Sequence, residues 1–206
     1  MNQNLIANVL SLTLFTISLF IAFRAFYLYF LSRRQRLFIL GLSMTIISLT
    51  AIASFIGDNV PSFPLNLNWF KYASQTISFL FILLSLVRSS DRYLKNLMIW
   101  HIIVSVLLLT LLTPLAPTEI SSTAKIFLGS SRSVICLIIF FYYVTSFFTK
   151  ETRFSLMMGL AFILLSVGYM LNVPKYSNHL LTLLDNIGDV TRIFGLIILL
   201  VTVLTG

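Results

Sequence analysis

Asp185, Asp189 and Arg192 are spaced i, i+4 and i+7, which puts all three on one face of a helix. Two carboxylates and a guanidinium in that pattern can pair with one another, hold a polar ligand, or do both. Arg132, in an earlier apolar run, is expected at a comparable depth, and so are Gln75 and Tyr72 in a third run. The predicted ligand-binding set is therefore Arg132, Asp185, Asp189, Arg192, Gln75 and Tyr72, lining a polar pocket open to the outside. A purely structural network is the competing reading, with Asp189 paired to Arg192 and Asp185 paired to Arg132. An isolated charge in lipid is costly, and pairing is the ordinary way to keep one. Two Arg against two Asp leave no surplus charge, so a strongly anionic ligand is not implied.

Other residues that carry chemistry elsewhere offer less here. His101 and His179 would need matching depth on facing helices to clamp a haem, and they fall at opposite ends of the bilayer. His101 is expected at the cytoplasmic interface, satisfied by a neighbour or water. Cys136 is the only cysteine, so neither an internal disulfide nor a thiolate metal site can form from it. There is no HExxH, no Gly-rich phosphate loop and no Asp-rich magnesium pair. Ser43, Ser48, Ser78 and Ser166 lack any visible base, and read as packing residues that let helices approach closely. No catalytic residue, no metal site and no cofactor is expected, and the chain reads as non-enzymatic.

The elements that must position these residues are long apolar runs. Of 206 residues, 58% are hydrophobic and only 10% charged, with a mean hydropathy of +0.99. Soluble domains need about a quarter charged residues, so lipid is the expected solvent. Seven runs reach spanning length, near 5–31, 36–57, 70–87, 96–113, 126–148, 154–172 and 181–205. Each is apolar all round, which fits helices rather than alternating barrel strands. The first run is too long for a cleaved signal and lacks a basic start. The fold class predicted is an all-α integral membrane protein, a single seven-helix domain over 1–206.

Basic residues orient it. Arg33, Arg34, Arg36, Arg88, Arg92, Lys95, Lys150 and Arg153 occupy three gaps, while the other gaps carry only Lys71, Lys125 and Lys175. Loops rich in Lys and Arg stay cytoplasmic, which puts the amino terminus outside and the carboxyl terminus inside. The net charge of +8 is absorbed by that role, so nucleic acid is not an expected partner. All five prolines fall in the outer loops. Arg24, inside the first run, is expected to snorkel toward the cytoplasmic headgroups.

Internal similarity adds an architecture. The stretch from Arg36 through Gly41 to Ser48 resembles that from Arg153 through Gly159 to Ser166, and Ser74-Gln75 matches Thr191-Arg192. Tyr-rich, basic-ended helices precede both blocks. The expectation is a 3+1+3 parallel repeat with halves 5–87 and 126–205 and a linker helix, 96–113. That plan resembles the sugar-transporting SWEET family, whose repeat helices hinge at prolines; these spans contain none. Seven spans with an outside amino terminus also resemble opsins in layout, although the last span has Arg192 and no Lys for a retinal Schiff base. No family is assigned from the residues.

The functional expectation is a multi-pass protein of the cell membrane that binds a lipid or small ligand from the outer side, or serves as accessory subunit of a membrane complex. A small-solute transporter or channel is the alternative. Expected partners are the lipid bilayer, a lipid or small-molecule ligand, and a membrane-protein partner or a second copy of the chain.

Overall fold

Lipid offers no hydrogen bonds to a bare backbone, so a spanning segment must satisfy its own, and a helix does so within one run. The computed structural model describes residues 3–59, 67–112, 120–176 and 182–205, and every regular element among them is helical. The helices are α1 (Gln3–Ser32), α2 (Gln35–Asn59), α3 (Leu67–Val87), α4 (Asp91–Leu107), α5 (Ser122–Lys150), α6 (Arg153–Asn172) and α7 (Thr182–Thr205). A π-helical segment, Leu108–Leu112, extends α4, and a 3-10 turn, Pro174–Tyr176, follows α6. Among the described residues, seven helices are long and apolar enough to cross a membrane. Pro61, Pro64, Pro114, Pro117 and His179 lie outside the described residues.

One boundary differs from the sequence expectation. Helix α4 begins at Asp91 rather than near residue 96, so Arg92 and Lys95 are helical and not part of a loop. Asp91 in the first turn favours a helix start there, because a carboxylate complements the amino-terminal end of the dipole. Charged side chains at helical spacing do not interrupt a helix, so α4 extends beyond the apolar run.

The chain divides into two compact units, Met1–Ser121 and Ser122–Gly206. In the first, α1 and α3 both pack on α2, and α4 packs on α2 and α3. Ser18, Ala22 and Ala25 form a buried small-residue stripe on α1; such stripes let a neighbouring helix come close. Hydroxyls and amides join α2 to α3. Ser43 donates to the Ser78 carbonyl at 3.1 Å, and the Gln75 amide donates to the Thr50 hydroxyl at 2.7 Å. An apolar cluster of Ile39, Phe81, Leu94 and Leu97 seats α4.

In the second unit, α5 and α7 both pack on α6. Ser133 donates to the Ser166 carbonyl and Ser166 donates to the Ser133 carbonyl, each at 2.9 Å, which ties α5 to α6 reciprocally. Helices α6 and α7 meet backbone to backbone. A methyl on Gly168 would lie 2.7 Å from the Gly188 carbonyl oxygen, and one on Gly188 would lie 2.8 Å from that of Gly168. About two turns further on, a methyl on Gly195 would lie 3.0 Å from the Ala161 carbonyl oxygen. Glycine is required at these crossings for space alone.

The two units share local features. Each opens with a helical hairpin whose linker starts on a left-handed residue, Arg33 (φ 56°) or Glu151 (φ 49°). The amide of Arg33 donates to the Tyr29 carbonyl and that of Glu151 to the Phe147 carbonyl, both at 2.7 Å. This is the αL stop that ends many helices, here without the usual glycine. On the second helix of each hairpin, a glycine faces an aromatic from the first: Gly41 faces Phe26, and Gly159 faces Phe140 and Tyr143.

Candidate functional site

The end of the second unit where α6 finishes and α7 begins gathers the charged residues, and the close α6–α7 crossing is what makes room for them. Gly168 lies under the Arg192 side chain, and Gly188 lies against the Asn172 amide. With no side chain at either position, Arg192 can lie flat across α6 toward Tyr169. Asp189, one turn before Arg192 on α7, forms an ion pair with it. The Asn172 amide at the end of α6 donates to the same carboxylate oxygen at 2.9 Å.

Tyr169 is the centre of the group. It is 4% exposed, and its ring carries two guanidinium groups. The Arg132 guanidinium carbon is 4.8 Å from the ring centroid and that of Arg192 is 4.9 Å away. One comes from α5 and the other from α7, so α6 presents the ring between its two neighbours. Cation–π attraction is strongest where both partners are desolvated, and Arg132 is 3% exposed. Arg132 also folds back on its own helix, its Nε donating to the Leu128 carbonyl at 3.3 Å. Gly129, one turn earlier on α5, packs against Val173 and Tyr176.

A second ion pair closes the edge of the group. The 3-10 turn after α6 returns Lys175 to the first turn of α7, where it pairs with Asp185. The sequence led us to expect Asp185 beside Arg132. The short turn delivers a nearer cation, while the Arg132 guanidinium lies on Tyr169. At the edge, the Lys175 side chain is 42% exposed and the Asp185 side chain 19%. Two atoms deeper in the group, Arg192 Nε and Asn172 Oδ1, are buried without a hydrogen-bond partner.

Of the six residues singled out in the sequence, Arg132, Asp185, Asp189 and Arg192 therefore belong to one group in the second unit. Gln75 and Tyr72 are buried on α3 in the first unit, where Gln75 is engaged by Thr50. The sequence reading missed Tyr169, Asn172 and Lys175. Asn172 is the last residue of α6. The signal available was Tyr169 and Asn172 one turn apart in an otherwise apolar helix.

Two other polar residues also have defined settings. His101 is fully buried, about 15 Å along α4 from Asp91. Its ring stacks on Phe81 at 4.2 Å between centroids, and neither ring nitrogen has a hydrogen-bond partner. The Arg24 guanidinium lies 5.5 Å from the Tyr27 ring centroid, one turn nearer the carboxyl end of α1. Among the described residues, no group of three His, Cys, Asp or Glu could hold a metal ion. No family model, curated protein or solved structure matches this chain.

Proposed function

We propose that this is a non-enzymatic multi-pass protein of the cell membrane whose second unit binds a lipid or small ligand from the outer side. The observation that carries the reading is the desolvated group of Arg132, Tyr169, Asp189 and Arg192, with a donor and an acceptor still unmatched. Buried polar atoms nearly always have partners, and exceptions mark strain, function or an absent bound group. A network built only to hold helices together has no need of unmatched atoms at its centre. The charged group also stops short of the opposite end of α7, where Leu196, Leu199 and Val203 are buried and the one buried hydroxyl, Thr202, donates to its own helix at the Ile198 carbonyl. A one-sided site of this kind suits binding from one face.

The topology we propose puts the amino terminus outside, with the hairpin linkers at Arg33 and Glu151 on the cytoplasmic face. The two halves are taken as a parallel repeat with α4 as linker. Supporting this are the matched left-handed linkers and the glycine–aromatic contacts at Gly41 and Gly159. A further match falls at an offset of 117 or 118 residues: Gln75 meets Thr50 in one unit, and Arg192 meets Gly168 in the other. The repeat keeps a small-solute transporter or channel as the second reading.

Purification in mild detergent, followed by mass spectrometry of whatever remains bound, tests the proposal. A bound small molecule that Asp189→Asn releases is expected. Stoichiometric partner subunits would favour the accessory role, and solute uptake into vesicles the transporter. If nothing is bound and Asp189→Asn changes neither stability nor retention, the site reading is wrong. For topology, a cysteine at Asn66 or Asn68 should react with impermeant reagent in intact cells, and one at Gln35 should not.

A further inference from the structure

Two interhelical linkers of the first unit gather charge of one sign. Helices α1 and α2 form one hairpin, α3 and α4 another, and hydrogen bonds join the helices at the end where both linkers lie. Arg36 Nε, at the start of α2, donates to the Ser85 carbonyl near the end of α3 at 3.0 Å. The Tyr93 hydroxyl, in the first turn of α4, donates to the Leu84 carbonyl at 3.2 Å. Among the described residues, this end carries Arg33, Arg34 and Arg36 about one linker and Arg88, Arg92 and Lys95 about the other, against the single carboxylate of Asp91. Arg24, further into α1, adds to the same sign. Five of the six cations are exposed, and none is ion-paired, not even Lys95 with Asp91 one turn before it. Orienting a helix calls for positive charge in a loop, but not for the charges of two loops brought to one end. Like charges gathered there repel, and an anion relieves the repulsion.

We propose that this end of the first unit binds an anionic lipid whose headgroup carries two phosphates, one met by the cations of each linker. Five of the six cations are arginine, whose planar fork of N–H groups matches phosphate oxygens. A headgroup with one phosphate can engage only one of the two sets. Apolar surface continues from the cations, as the order of a lipid requires. On α4, Arg92, Lys95, Ile99, Ile102 and Val106 form one exposed stripe, charged in its first turns and apolar beyond. On α1, exposed Phe30 lies one turn before Arg33, and exposed Trp100 on α4 is a residue favoured where headgroups meet chains. The site uses no residue of the charged group in the second unit, so either can fail without the other.

The purified chain in neutral detergent should be titrated with diphosphatidylglycerol and with phosphatidylglycerol at equal phosphate, bound lipid being read by native mass spectrometry. A basic residue engaged by an anionic headgroup is worth about fivefold in affinity. Diphosphatidylglycerol is therefore expected to bind about fivefold more tightly, or better. Arg34→Gln with Arg92→Gln takes one cation from each linker. It should weaken binding of that lipid about twentyfold and abolish the preference between the two. Lys150→Gln with Arg153→Gln removes the same charge from the second unit and should stay within about twofold of the parent. All four side chains are exposed, so both double variants should unfold at the parent midpoint. Equal affinity for the two lipids would reduce the patch to diffuse charge and overturn the site, and so would equal losses in the two double variants. Displacement of the lipid by inorganic pyrophosphate at equal phosphate would assign the cations to a soluble anion and overturn the lipid. Where Arg34→Gln with Arg92→Gln does not fold, the ratio of the two lipids on the parent chain decides.

Discussion

The α2–α3 contact of the first unit and the α6–α7 contact of the second solve the same packing problem with different chemistry. In the first, Gln75 meets Thr50, two neutral groups with a bond of 2.7 Å. Thr50 also donates to its own helix at the Ile47 carbonyl, so its hydroxyl is satisfied without Gln75. In the second, Arg192 lies on a glycine and brings a full charge, which then needs Asp189, and Asp189 in turn draws Asn172. A neutral pair brings no charge that must be balanced. A charge recruits further polar residues, and the recruited set is what makes the second unit the candidate for binding.

That contrast can be broken most forcefully at Asp189. Asp189→Ala leaves Arg192 charged and unpaired in a desolvated setting, which costs about 3–5 kcal/mol. Equilibrium unfolding in detergent should register a loss of that order; a loss below about 1 kcal/mol would mean that the pair is effectively solvated. Glycine substitutions come next. Gly168→Ala forces a methyl against the Gly188 carbonyl and the Arg192 backbone amide, which would sit 2.7 and 3.0 Å away, and overpacking of this kind costs about 1–3 kcal/mol. At Gly159 the nearest atom to an added methyl is 3.8 Å away, so Gly159→Ala should stay within about 0.5 kcal/mol of the parent. The comparison fails if the two alanines behave alike. The smallest loss falls in the first unit. Gln75→Ala should cost about 1 kcal/mol, since membrane hydrogen bonds are modest and Thr50 keeps its other acceptor. A cost approaching that of Asp189→Ala would erase the distinction between the units.

Most of the architecture was legible because lipid leaves a spanning chain few options. Long runs apolar on all sides can only be helices, and the seven expected runs correspond to the seven helices. The start of α4 was misread because Asp91, Arg92 and Lys95 resemble a loop in composition, whereas a helix can carry charge wherever it leaves the hydrocarbon. Within the site, Asp189 and Arg192 could be paired from spacing alone, as one helix supplies both. The Lys175–Asp185 pair and the convergence of Arg132 and Arg192 on Tyr169 depend on a fold-back turn and on three helices side by side. Nothing in the local sequence encodes those distances. Lys175 read as a loop charge in the sequence and pairs with Asp185 in the fold.

The central claim is that the charged group of the second unit exists for a ligand and is not simply the way α7 is held. Removing Arg192 and Asp189 together, as Arg192→Gln with Asp189→Asn, separates the two roles, because neither partner is left as a lone buried charge. The measurement is the bound small molecule retained by the purified double variant, set beside its unfolding midpoint. The account predicts a midpoint within a few degrees of the parent and a bound fraction reduced about tenfold or more. A double variant that keeps its full complement of ligand, or that binds as the parent does while losing its fold on mild warming, would contradict it.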